Sequence, residues 1–187
     1  MLTATAKRFL KYQKGEVFLP NFKANTPSIV FVPVKGCSGT EKWGGLSFGD
    51  FPNKMVTSMV ESGSGASSGV AFGTGTTAPT ENDYTIESII SSGLTLSSTP
   101  SKQYYFDSEN DKYYVYYDFT LANNTESDIS ISEVCLFATI YPGDTKGVTP
   151  STSVYNNFSI LIDRTVLETP IVIPAGESGV VRYSMEY

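Results

Sequence analysis

The chain of 187 residues contains no histidine. That absence removes the side chain that most often serves as general base or metal ligand near neutral pH. There are only two cysteines, Cys37 and Cys135, far apart and each in or beside an apolar run. Neither builds a metal-ligand cluster, and two buried free thiols are favoured over one long-range disulfide. Charged residues are scarce at 17%, with serine, threonine and glycine in their place. No apolar run approaches the length of a membrane span, and residues 1–8 lack a secretory apolar core. The expectation is a protein made in the cytoplasm without a signal peptide and with no membrane partner. The acceptor patterns at Asn123 and Asn157 are then chance matches rather than glycosylation sites.

What is plentiful is aromatic: 12 Tyr and 11 Phe, residue types that favour strands and sheet faces. Charge is split along the chain. Residues 1–60 carry eight basic and three acidic residues, and residues 61–187 carry five basic and sixteen acidic. An acidic body of this kind argues against direct nucleic-acid binding, which needs a basic footprint. The basic third suits docking on an acidic neighbour, including the body of another copy. The alternative is a solvated arm without a partner.

Three segments follow from this pattern. Residues 1–60 read as a basic N-terminal arm with edge elements. A short helix over residues 4–13 is broken by Gly15 and Pro20. A strand over residues 28–34 is set at an edge by Pro33, and the lone Trp43 sits in a glycine-rich loop. Residues 61–69 form a Gly/Ser-rich linker or loop. Residues 70–187 form an acidic body with about seven to nine short strands at regular spacing.

Within that body Tyr84, Ile86 and Ser88 alternate with Thr85 and Glu87 and predict a strand. The clearest hairpin runs from Gln103 through a charged tip at residues 107–111 to Leu121. Tyr113, Val115, Tyr117, Phe119 and Leu121 share its core face, and Tyr114 and Tyr116 share the other. Residues 134–140 read as a central strand. A strand at Phe158, Ile160 and Ile162 ends at Asp163-Arg164, and separate apolar pieces follow at 166–167 and 171–173. The fold class expected is all-β: an antiparallel β-sandwich or jelly-roll-like body with an extended N-terminal arm.

Three motif matches fail on context. Gly65-Ala66-Ser67-Ser68-Gly69 matches a nucleophile elbow but has no histidine to serve it and no helix after it. Gly73-x-Gly75-x-x-Ala78 matches a dinucleotide fingerprint, yet no helical stripe follows and no βαβ unit surrounds it. Asp107-x-Glu109-x-Asp111 has alternating carboxylates but Lys112 where a calcium loop needs glycine, so a charged hairpin tip is the default reading. No catalytic residue, cofactor or metal site is expected.

Gly73-Thr74-Gly75-Thr76-Thr77-Ala78-Pro79-Thr80, followed by Asp83-Tyr84 and Ile86-Glu87-Ser88, resembles a recurring segment of small tailed-bacteriophage virion proteins. The likeness continues in order through the strand at 114–121, the turn at Asn123-Asn124, the Ile-Ser-Glu-Val-x-Leu-Phe run at 131–137, the Leu-x-Asp-Arg-Thr-Val-Leu run at 161–167 and the Pro-x-Gly-Glu-Ser turn at 174–178. It covers residues 70–187. Cys135 stands where the pattern has glycine.

The resemblance implies a non-enzymatic virion structural protein, a head, neck, tail or fibre component that acts through subunit–subunit assembly. Its location would be the virion, and its partners other virion proteins and further copies of itself. The alternative is a receptor- or carbohydrate-binding module of a phage particle. Trp43, Tyr114 and Tyr116 are the candidate interface or glycan-stacking residues, with packing at a sheet face or subunit interface preferred.

Overall fold

The computed structural model describes residue 3, residues 29–47, residue 59, and residues 69–142 and 158–186, with side chains from 35–41, 69–139, 159–184 and at 3 and 59. Nine strands occur among these residues: β1 (Ile29–Lys35), β2 (Glu41–Ser47), β3 (Gly69–Gly73), β4 (Leu94–Leu96), β5 (Ser101–Asp107), β6 (Lys112–Asn123), β7 (Ile129–Pro142), β8 (Phe158–Ile173) and β9 (Ser178–Glu186). The linker residues 61–68, the helix expected at 4–13 and the loop at 143–157 lie outside the described residues.

All pairings within and between these strands are antiparallel. One sheet is built on β7, with β3 along residues 133–137 and β8 along residues 129–140. It is extended by β2, joined to β7 at Gly44 and Gly45, and by β1 beyond it. Pro33 lies in β1, at the end of the sheet order, where its missing donor costs no interior ladder bond. Trp43 lies in β2, opposite Pro33, and not in the loop expected for it. The second sheet is built on β6: β9 runs along one edge, and β4 and β5 follow one another along the other.

The two sheets face each other across the main core. Val115, Phe119 and Leu121 of β6 meet Val70, Phe72, Leu136 and Ile160 of the first sheet. Phe72 and Phe119 cross edge to face at 5.5 Å, a contact that contributes about 0.5–1.5 kcal/mol beyond its burial. The period-two reading of β6 holds from Val115 to Leu121, all buried. Tyr113 is the exception: it shares that side but is 58% exposed, because the β5–β6 hairpin runs on past the core. The hairpin tip is made by Asp107, whose carboxylate accepts from the N–H groups of Glu109 and Asn110 and from Asn110 Nδ2. Asp111 takes a positive φ of 52°, a conformation aspartate tolerates.

The first sheet is covered on its other face as well. Ala71, Cys135, Phe137 and Leu161 pack there with Ile86, Cys37 and Ile89. Burial on both faces is why β7 reads as a near-continuous apolar run. Both cysteines are free. Burial pushes the Cys37 thiol up to about 12, and burial followed by the charge of Glu133 pushes Cys135 higher still.

The β7–β8 ladder carries two irregularities, between Ile131 and Glu133 and between Leu136 and Phe137. The first skips residues 167–170 on β8, where Pro170 has no N–H to give. The apolar pieces expected as separate elements, and the end expected at Asp163-Arg164, are thus one continuous strand of 16 residues. The second leaves Ile162 without a ladder partner and shifts the strand's phase by one residue.

Candidate functional site

The phase shift delivers Arg164 to the covered face. Plain alternation from Leu161, which packs on that face, would turn residue 164 toward the other sheet. Ile162 packs into the inter-sheet core, and because it is an extra residue Asp163 turns inward after it and accepts a hydrogen bond from the Tyr183 hydroxyl on β9, at 2.8 Å. Arg164 then pairs with Cys135 and faces outward beside Glu133. The irregularity at Ser132 does the same for β7. Ile131 and Val134 both join the inter-sheet core, while Glu133 points to the covered face.

Arg164 is the hub of that face. Its Nε donates to Glu133 Oε1 at 2.6 Å, one terminal nitrogen to Asp83 Oδ2 at 2.8 Å and the other to Glu87 Oε2 at 2.9 Å. Glu133 is fully buried, and its carboxylate also accepts the N–H groups of Glu87 and Ser88 at 3.0 and 3.3 Å. Burial works against the Arg164 charge, but the hydrogen bonds to Glu133 and Asp83 and the charges of those carboxylates together outweigh it and hold the guanidinium firmly protonated.

Asp83 and Glu87 belong to a loop, residues 74–88, whose ends are tied together. Thr74 N–H donates to Ser88 O at 2.8 Å, and Ile90 N–H donates to Phe72 O at 2.8 Å. A 15-residue loop closed at its neck is an Ω-loop in form. The strand expected at residues 84–88 is absent; only Ile89 bridges, to Gly73. Burial does not alternate there either: Ile86 is buried, Tyr84 and Thr85 are half-buried, and Glu87 and Ser88 are exposed.

The threonines of the loop hold its carboxylates. Thr80 donates from N and Oγ1 to Asp83, and Thr77 donates from N and Oγ1 to Glu87. Burial opposes ionisation of Asp83, yet its bonds from Thr80 and Arg164 hold it below the ordinary carboxyl value. Glu87 is held low chiefly by the Thr77 hydroxyl, then by the Thr77 N–H.

Gly73, the last residue of β3, and Gly75, in the loop, are both required by close approach. A Cβ on Gly73 would sit 2.6 Å from Glu133 Oε2 and 2.6 Å from Ser88 O. On Gly75 it would sit 2.5 Å from Glu133 Oε2 and 2.7 Å from Glu87 Cβ. The dinucleotide-like spacing therefore serves a buried carboxylate of the same chain. No helix follows it, as the turn reading anticipated.

A second fastening lies beside the start of β7, where Ile173 pairs with Ile129. Asn123 is 1% exposed; its Nδ2 donates to Ser127 O, Ile173 O and Pro174 O, and its Oδ1 accepts from Thr125. Its backbone N–H donates to Glu177 O within the turn between β8 and β9. The ordered motifs of the sequence thus converge on two fastenings. The Gly-Thr segment, Glu133 and Arg164 meet at one, and Asn123 and the turn at 174–178 meet at the other.

Tyr114 and Tyr116 stand on the outer face of the second sheet. Their rings stack at 6.2 Å and 18°, with Tyr105 at 6.4 and 6.3 Å and the Arg182 guanidinium 5.2 Å from Tyr116. Arg182 is itself paired with Asp118. Trp43 belongs to the other sheet, in β2, so the three candidate residues do not share one sheet face. Sequence reasoning singled out none of Asp83, Glu87, Glu133 and Arg164. The available signal was a pair of ionisable residues inside the two most apolar strands, since such residues are almost never fully buried unless paired.

No family model, curated protein or solved structure matches this chain.

Proposed function

We propose that this chain is a non-enzymatic structural subunit of a tailed-bacteriophage particle, acting through contacts with other copies of itself and with other virion proteins. The observation that carries the reading is the convergence of the family-like motifs on fastenings of the fold. Glu133, Arg164 and the Gly-Thr loop satisfy one another, and the residues that carry the resemblance are occupied in holding the sandwich together.

Chemistry is disfavoured at the same places. A general acid needs a carboxyl held protonated near neutral pH. Asp83 and Glu87 are held in the opposite direction, and so is Asp107, by the Asn110 side chain at the hairpin tip. The Cys135 thiol is buried and held protonated, which disfavours a nucleophilic role.

The alternative, a glycan- or receptor-binding tip, draws on Tyr105, Tyr114 and Tyr116. Their rings are engaged with one another and with Arg182. A sugar-stacking platform presents open ring faces, so packing at an interface is the better-supported use of this surface.

Mass spectrometry and immunogold labelling of purified particles test the proposal. The protein is expected at fixed stoichiometry per particle. A stable monomer absent from particles overturns the reading. A glycan array with wild type and a Tyr114→Ala/Tyr116→Ala double variant tests the alternative; glycan binding lost in the variant, with assembly intact, would establish the binding module instead.

A further inference from the structure

We infer that β5 is a docking edge for a second copy of this chain, pairing antiparallel with its own counterpart about Tyr104. The inference rests on the assembly reading above and gives it a contact surface. Among the described residues β5 pairs with β6 alone, over its whole length and without a register shift. Such an edge presents unpaired backbone donors and acceptors to any strand that fits it.

The usual guards against that pairing are missing. Residues 101–107 contain no proline and no bulge. The one cation, Lys102, lies over the Tyr104 ring at 4.6 Å and near that of Tyr117 at 5.7 Å.

The apolar surface is concentrated at the same place. Of the six most exposed large apolar side chains among the described residues, Tyr104, Tyr105, Phe106 and Tyr113 all belong to the β5–β6 hairpin. They lie on both sides of the hairpin where it runs past the core, with Phe106 and Tyr113 in contact at 4.5 Å. A partner strand laid along β5 covers aromatic surface on both of its faces.

The occupant is argued from the strand's own sequence. Laid antiparallel on itself about Tyr104, Ser-Lys-Gln-Tyr-Tyr-Phe-Asp sets Ser101 against Asp107, Lys102 against Phe106 and Gln103 against Tyr105. No like charges meet, and the full strand is used. The contact is isologous, as a two-fold dimer requires.

The test is light scattering and sedimentation of the full chain across a concentration series. Wild type is expected to dimerise. Tyr104→Lys places two ammonium groups face to face at the two-fold axis and is expected to weaken self-association about a hundredfold or more. Tyr104 is 72% exposed, so the variant is expected to keep the wild-type circular dichroism and, at concentrations where wild type is monomeric, its melting temperature. Tyr104→Cys gives an independent readout: a reducible dimer on mild oxidation, absent from wild type. If Tyr104→Lys self-associates like wild type and Tyr104→Cys does not cross-link, the β5 edge is overturned while assembly through another surface stands. A wild-type chain that is monomeric throughout overturns the edge as well, and the purified-particle measurement then judges the particle reading separately.

Discussion

The two sheets solve the same problem differently. The β3–β7–β8 sheet is buried on both faces, and its second face is closed by a loop held on charge. The β6-centred sheet buries one face and leaves the other aromatic and accessible. Arg164 and Arg182 show the contrast residue by residue. Arg164 has a 4% exposed side chain and binds three carboxylates, one of them fully buried. Arg182 binds Asp118 with similar geometry, 2.7 and 2.9 Å, but is 55% exposed. Bond length does not separate these pairs; access to water does. Around Arg164 the guanidinium and Glu133 have been removed from solvent and depend on each other, with Asp83 and Glu87 closing the cluster on its solvent side, whereas around Arg182 water can replace either partner.

Removing the hub breaks the contrast most severely. Arg164→Ala leaves Glu133 charged and buried beside two further carboxylates, and is expected to cost about 3–5 kcal/mol in chemical denaturation. An unchanged denaturation midpoint would show that Glu133 finds another partner or protonates cheaply. Next in size is Gly75→Ala. Its methyl group must displace Glu133 or lift the loop, at about 1–3 kcal/mol. Hydrogen exchange should then rise across residues 74–88 and leave β6 and β9 unaffected. Equal deprotection of both sheets would mean that the loop does not open separately.

The pH response of the loop is smaller and has a defined sign. Asp83 and Glu87 have folded values below the ordinary 3.8 and 4.5. Their contribution is therefore complete above the ordinary carboxyl range and is lost as pH falls through the folded values. In that window the unfolded chain binds more protons, so stability rises with pH. Hydrogen exchange at residues 74–88 between about pH 6 and pH 3 should show protection lost on the acid side. The smallest effect is expected at the open face. Arg182→Ala should leave the denaturation midpoint nearly unchanged, the more so in high salt. A loss as large as that of Arg164→Ala would refute the role assigned to solvent access.

Much of this architecture was legible in the residues themselves. Alternating Val115, Tyr117, Phe119 and Leu121 specify one buried face of β6, because a strand's side chains turn over every residue. Asp107 and the polar tip specify the hairpin, and the scattered turn residues favour an all-β protein. Alternation also marks where reading along the chain stops. Arg164 reaches Glu133 only because Ile162 is an extra residue in the β8 ladder, and one such residue reverses the facing of everything beyond it. Gly73 and Gly75 are needed because a carboxylate from residue 133 arrives beneath them, a contact between segments about sixty residues apart. Local preferences determined which residues became strands and which side of β6 was apolar. Register irregularities and close approach between distant segments, which no local preference encodes, decided where the charges went.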